Sequence, residues 1–199
     1  MPKVNWIATD VGTIADLLTH EECDANIKFS ENRRFEEAPV STHAGMVMMK
    51  DVRNNDRVMV DDMARAQDLY DRIADSVPPR VDKKWRPAGL NERLRFYRCD
   101  VGQKFDWHSD GYFERENGDK SFLTFMVYLN EDFDGGGTSF RDNGFGREKF
   151  APFTVLPKKG MGLIFRHPIS HRGDSVIAGR KYVIRSDVMY TRIARPVAV

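Results

Sequence analysis

Ser121-Phe122-Leu123-Thr124-Phe125-Met126-Val127-Tyr128-Leu129-Asn130 is the stretch on which the fold reading turns. Leu123, Phe125, Val127 and Leu129 make one apolar face, and Phe122, Thr124, Met126 and Tyr128 make the other. A period of two is that of a β-strand, whose successive side chains leave opposite faces. With both faces apolar, the strand is expected to be covered on both sides. The face that carries hydroxyls is expected to line a cavity.

Shorter runs of the same kind lie around it, at 93–99, 104–108, 153–156, 162–165 and 180–190. They are split by turn residues at Gly102, Gly135-Gly136-Gly137 and Arg172-Gly173-Asp174. Many short strands with Gly and Pro turns imply a sandwich or barrel. The first part of the chain reads differently. Thr19-His20-Glu21-Glu22 matches a capping box, followed by Cys23, Ile27 and Phe29 at helical spacing, so His20 is read as a helix-start residue. Asp61 or Asp62 caps a second helix with Met63, Ala66, Leu69, Tyr70 and Ile73 on one face, stopped by Pro78-Pro79. Residues 31–58 read as a loop, or as hairpin edges around a loop, and 79–87 as an exposed connection. The helical part is too small to hold its own core and is expected to buttress the sheet. The expected organisation is one domain over 1–199, with a helical buttress and substrate-side loops in 1–89 and the core in 90–191.

The 199 residues include 31 Lys and Arg against 30 Asp and Glu, a formal charge of +1. No nucleic acid partner is signalled by that balance. Cys23 and Cys99 are isolated in sequence, which fits free thiols in a reducing compartment. No run approaches membrane-spanning length and the start lacks a signal-peptide core, so no membrane partner is expected and the location is read as cytoplasmic.

The chemistry is carried by Trp107-His108-Ser109-Asp110. In extended backbone His108 and Asp110 leave the same face, which sets an imidazole and a carboxylate side by side. A second histidine would complete a facial triad with open positions, the arrangement of non-haem iron(II) oxygenases. Five histidines are available, His20, His43, His108, His167 and His171, and the two late ones both remain open on this ground alone.

Taken in order, His108-Ser109-Asp110, Tyr128-Leu129-Asn130, Gly135-Gly136-Gly137-Thr138, Pro157-Lys158-Lys159-Gly160, His171 and Gly179-Arg180-Lys181-Tyr182 resemble the prolyl 4-hydroxylase-like iron(II)/2-oxoglutarate-dependent dioxygenases. The likeness runs from about Leu90 to Tyr190. It implies a mainly β chain with flanking α-helices, folded as a double-stranded β-helix, a jelly-roll barrel of the cupin type. It implies His108, Asp110 and His171 as ligands of iron(II), since the family's distal histidine precedes its 2-oxoglutarate-binding basic residue by nine or ten positions. His171 stands ten before Lys181 and nine before Arg180, which is the neighbour that would take over if the strand were one out of phase. His167 is left as a satisfied histidine. Lys181 would also balance charge beside the metal, Asp110 and a dianionic cosubstrate.

The same resemblance implies Tyr128 and Thr138 as hydroxyl contacts to 2-oxoglutarate. Cys99 stands where many relatives carry a tyrosine, and Tyr97, two residues earlier on the same face, is the expected substitute. The implied cofactors are iron(II), 2-oxoglutarate and dioxygen, with L-ascorbate as an accessory candidate. The implied reaction hydroxylates an unactivated C–H, on a prolyl residue in the best-known members, and releases succinate and carbon dioxide. Hydroxylation of a free amino acid or small metabolite, and a non-catalytic barrel that only binds 2-oxoglutarate and iron, are the alternatives. A nucleic-acid demethylase would need arginines farther past the distal histidine, where this chain has Val188. For a peptide or small-molecule substrate, Arg53, Asn54, Asn55, Asp56 and Arg57 with Trp107 and Arg166 are read as a polar lid, the alternative for 53–57 being a solvated loop.

Overall fold

Thr19 caps the first helix as its sequence demands. Its hydroxyl accepts from the Glu22 N–H, and the Glu22 carboxylate accepts from the Thr19 N–H, so two orphan donors are satisfied reciprocally. The computed structural model describes residues 3–42, 45–145 and 149–193, and His43 lies outside them. The hairpin β1 (Val4–Ala8) and β2 (Val11–Ile14) precedes α1 (His20–Glu31). Then come β3 (Glu36–Glu37), the hairpin β4 (Val40–Thr42) and β5 (Gly45–Val47), β6 (Asp56–Asp61) and α2 (Met63–Ile73), capped by Asp62. The strands β7 (Trp85–Leu90), β8 (Arg93–Cys99), β9 (Phe105–His108) and β10 (Lys120–Tyr128) follow. The chain continues through β11 (Asp134–Gly135), β12 (Thr138–Arg141), β13 (Phe153–Val155), β14 (Gly162–Arg166), β15 (Ser170–Gly173), β16 (Val176–Ala178) and β17 (Lys181–Arg192).

Two sheets carry the architecture. The larger runs β1-β2-β14-β10-β17-β8-β6-β3, with β7 also paired to β17, and the smaller runs β13-β12-β15-β9. One face of the larger sheet presents Leu94, Phe96, Leu123, Phe125, Val127 and Ile184 to the helices, where Cys23, Leu69 and Ile73 close the core. The opposite face presents Tyr97, Tyr128, Leu163, Phe165 and Val183 to Phe140 and Val155 of the smaller sheet. This face-to-face pair of sheets with helices outside is the double-stranded β-helix. The helices do buttress the sheet, yet the first ninety residues also supply strands to it.

Three local expectations need correction. Phe122 does not share a face with Thr124. A β-bulge between Ser121 and Leu123 makes Phe122 the extra residue against β17, so its ring turns onto Trp85 (5.2 Å) and Tyr190 (5.6 Å) beside the helix-side core. Residues 79–87 are not simply exposed: Val81 is buried, and 85–90 pair with the end of β17. The second helix stops at Ile73, before the prolines, because the N–H groups of Ser76 and Val77 fold back onto the Ile73 carbonyl. Among the described residues no helix is long and apolar enough to cross a membrane.

Ile73 is fully buried where α2 meets the sheet. Ile73→Ala should lower the unfolding free energy by about 2–5 kcal/mol, read from denaturant titration. Full stability in that variant would show that α2 is not part of the core.

Candidate metal centre

Antiparallel pairing of β15 with β9 sets His171 directly opposite His108, and their rings lie 4.2 Å apart between centroids. Asp110 follows two residues after His108, its N–H donating to the His167 carbonyl at 2.8 Å. The Asp110 carboxylate then meets both imidazoles: Oδ1 is 3.7 Å from His108 Nε2 and Oδ2 is 3.5 Å from His171 Nε2. One donor atom from each of the three residues falls within 4.8 Å of the others.

Each ring is oriented by its other nitrogen. His108 Nδ1 donates to the Asp106 carbonyl at 2.7 Å and His171 Nδ1 to the Ile169 carbonyl at 2.9 Å, which leaves both Nε2 lone pairs aimed at the carboxylate. Phe105 stacks on His108 at 3.5 Å, and Phe165 lies 4.5 Å from His171. Burial in these apolar surroundings pushes His108 down to about 3 and lowers His171, so both are neutral and ready to ligate. Burial alone would raise the Asp110 carboxyl. The Arg185 guanidinium, 2.9 Å from Oδ2, outweighs it and holds the group well below the usual carboxylate range. Two neutral imidazoles and one ionised carboxylate are the donor set of an iron(II) facial triad, and the residues fit that ion.

Further side chains fix the carboxylate. Thr124 Oγ1 donates to Asp110 Oδ2 at 2.6 Å and accepts from His167 Nδ1 at 3.0 Å, while His167 Nε2 accepts from Ser121 Oγ at 2.9 Å. Both His167 nitrogens are thereby used, and its ring orients Asp110 through Thr124. Arg185 and Thr124 had no sequence-level assignment. Arg185 was legible in principle, because it falls four after Lys181 on one strand and so shares its face.

Beside the triad is a cavity of about 70 Å³ lined by Tyr97, Cys99, Thr138, His108, His171 and Lys181 among others. Lys181 stands opposite Cys99 across the β8–β17 pair, with its Nζ buried and donating to the Gly136 carbonyl. Gly136 permits this approach: at φ +62° a Cβ would meet the Phe133 ring at 2.8 Å and the Lys181 side chain at 3.2 Å. Burial lowers the Lys181 ammonium, and among the described residues no carboxylate pairs with it. Tyr128 is not at the cavity wall but behind it, its ring 5.3 Å from Nζ and its hydroxyl 2.7 Å from Thr138 Oγ1. Tyr97 Oη is buried without a hydrogen-bond partner. Lys181 and Tyr97 line the same small cavity, a buried cation and a phenolic donor suited to a carboxylate-bearing cosubstrate.

A second cavity, about 610 Å³, opens from His108 and Asp110 and is lined by Arg53, Arg57, Arg95, Tyr97, Arg185 and Asp187 with other residues. Arg53 and Asn55 are 5% and 3% exposed, which removes the solvated-loop alternative for these two residues. Trp107 and Arg166 line neither cavity. Trp107 alternates with His108 along β9 and lies between the guanidiniums of Arg141 (4.3 Å) and Arg172 (4.9 Å). Arg166 packs against Phe122 and Phe145. Arg180 points away and pairs with Asp100.

Residues 94–186 match the family model described as the 2OG-Fe(II) oxygenase superfamily. Proteins similar to this chain include prolyl hydroxylases. Prolyl 4-hydroxylase 5 of Arabidopsis thaliana is 26% identical over 192 residues, covering 84% of this chain and 64% of the relative. The chain thus spans less than two thirds of the length of such curated relatives. The crystal structure of a Pseudomonas putida prolyl-4-hydroxylase matches with TM-score 0.65 at 16% identity, covering 90% of this chain and 92% of that one. A prolyl hydroxylase from Trichoplax adhaerens, solved with a hypoxia inducible factor oxygen degradation domain peptide fragment, matches with TM-score 0.63 at 14% identity, covering 90% and 83%. At these identities the structures show the fold alone.

The folded, metal-free protein excludes protons from His108 and from His167, which burial lowers to about 4, whereas the unfolded chain takes them up below about pH 6.5. Stability is therefore complete above about pH 6.5 and falls progressively as pH drops toward 4 and then 3. Denaturant titrations of metal-free protein across that window should show the decline, and a flat profile would contradict the buried neutral imidazoles.

Proposed function

We propose that the protein is an iron(II)- and 2-oxoglutarate-dependent dioxygenase that hydroxylates an unactivated C–H of a peptide or small-molecule substrate. The observation that carries this reading is the pairing of the His108, Asp110 and His171 donor set with a buried Lys181 that lacks a carboxylate partner. One domain over 1–199 is part of it, since the helices share a core with β8, β10 and β17.

His108 and His171 would hold the ion through Nε2. Asp110 would hold it mainly through Oδ1, because Thr124 and Arg185 already engage Oδ2. Lys181 would receive the far carboxylate of 2-oxoglutarate, with Tyr97 Oη and the Thr138 hydroxyl as the nearby donors. Iron(II), 2-oxoglutarate and dioxygen supply the oxidation when bound, with one oxygen atom ending in succinate, the other in the substrate hydroxyl, and carbon dioxide released. No side chain is needed as a general base. The protein contributes ligand geometry, charge balance and a lining that includes Met126 and Val183 to keep water out. The divalent ion, the Asp110 carboxylate, the dianionic cosubstrate and Lys181 cancel in charge. Prolyl peptides are the first substrate class to screen, in view of the relatives, followed by free amino acids.

Succinate release from 2-oxoglutarate with iron(II) and air, assayed with and without ascorbate, is the test. His171→Ala should abolish it. Lys181→Met should raise the KM for 2-oxoglutarate by about 10- to 100-fold, the worth of one charge-assisted hydrogen bond. Iron-independent succinate, or unchanged turnover in His171→Ala, would overturn the assignment.

A further inference from the structure

The larger cavity holds a charge imbalance that cosubstrate chemistry leaves unused. Four arginines line it, Arg53, Arg57, Arg95 and Arg185, against two carboxylates, Asp110 and Asp187. Asp110 belongs to the ligand triad. Asp187 is shared, 3.1 Å from Arg95 and 3.6 Å from Arg185. Since the ion, Asp110, 2-oxoglutarate and Lys181 cancel, the four guanidiniums and Asp187 leave a net charge of +3, and among the described residues Arg53 and Arg57 form no ion pair.

The sheet register makes this costly. Arg95 and Arg185 are directly opposite on β8 and β17, a position in which like charges destabilise a sheet. Arg57 is opposite Tyr97 on the neighbouring strand β6. Among the described residues Arg57 forms no ion pair, and Glu36, its partner on β3, is solvent-exposed. Arg53 bonds only neutral acceptors, Asn55 Oδ1 at 2.9 Å and the Pro39 carbonyl at 3.4 Å, and lies over the rings of Phe105 and Tyr97. The positive field is felt by Tyr97: burial would raise its phenol, but Arg53, Arg185 and Arg95 bring it down to about 8. Self-repelling guanidiniums around a cavity of this size, next to a metal triad, are the mark of a site completed by an anion. A planar guanidinium matches a carboxylate or phosphate in two-pronged fashion.

We propose that the prime substrate carries an anionic group, a carboxylate or a phosphate monoester, which Arg57 and Arg95 receive in the larger cavity while the carbon to be oxidised faces the metal. This rests on the oxygenase reading for the position of that carbon. A prolyl peptide meets the requirement only when an acidic or phosphorylated side chain accompanies the proline. Arg57 and Arg95 touch neither the ligands nor the aromatic stack on His108; Arg57 forms no ion pair among the described residues, and Arg95 shares its one carboxylate, Asp187, with Arg185.

The test uses anaerobic protein loaded with iron(II) and 2-oxoglutarate, with loading followed by the visible charge-transfer band of the complex. Calorimetric titrations compare two matched pairs of probes: N-acetyl-aspartate amide with N-acetyl-asparagine amide, and N-acetyl-phosphoserine amide with N-acetyl-serine amide. At least one anionic probe should bind about tenfold or more tightly than its neutral twin, and the pair that does so identifies carboxylate or phosphate as the group. Arg57→Gln and Arg95→Gln should each shrink that preference to about threefold or less, and Arg57→Lys, which keeps the charge but not the two-pronged geometry, should fall between wild type and Arg57→Gln. Removing repulsion should leave ligand-free Arg57→Gln melting at or above the wild-type temperature, which separates lost binding from lost folding; if it melts lower, the Arg57→Lys comparison decides. Equal binding of charged and neutral twins overturns the proposal, as does a preference that survives both glutamine variants or a second equivalent of 2-oxoglutarate filling the cluster. Failure to form the charge-transfer band overturns the oxygenase reading instead, and the same titrations on metal-free protein then decide the anion site separately.

Discussion

A carboxylate with a side chain only 5% exposed must remain ionised, and most of the site is arranged around that requirement. Left alone in an apolar interior, Asp110 would take up a proton and cease to be a ligand. Arg185 and Thr124 prevent this from one side, and the two imidazoles meet it from the other. Arg185 is in turn held by Asp187, and Asp187 by Arg95, so one buried charge recruits a row of them across β17 and β8. Such a row is costly to bury, and its geometry has to be enforced by the surrounding sheet.

The enforcement comes from register. β17 is twelve residues long and pairs with β10, β8 and β7, with both faces covered, so a one-residue slip would send Lys181 and Arg185 into the helix-side core. The smaller sheet contributes the equivalent constraint through the His171 and His108 pairing. Two independent registers therefore meet at Asp110. The helices sit on the far face and set no side chain in the triad; their part is to keep the larger sheet from exposing its apolar side.

Much of this was legible in the chain itself. The His108 and Asp110 spacing, the helix caps at Thr19 and at Asp61 or Asp62, and the alternation of β10 follow from periods and local hydrogen bonding, whereas the ten-residue step from His171 to Lys181 rested on the family resemblance. What escaped did so for physical reasons. Phe122 breaks its own alternation at a bulge set by the pairing of Ser121 with Met189 and of Leu123 with Val188 on β17, distant in sequence. Trp107 was read with the polar lid, although a period of two sends it to the opposite face from His108. The arginines on β6, β8 and β17 are scattered in sequence and become one group only when three strands lie side by side.

The larger sheet keeps its two tasks on alternate residues. Along β10 and β17, Leu123, Phe125, Val127, Ile184 and Val188 serve the helix-side core, while Thr124, Met126, Lys181, Arg185 and Asp187 face the chemistry. Mutational drift can therefore act on the two sets almost separately. A lineage could exchange the cavity-facing positions and acquire a new substrate while inheriting its helix-side core intact, and residues about three ångströms apart along the chain would then evolve at different rates.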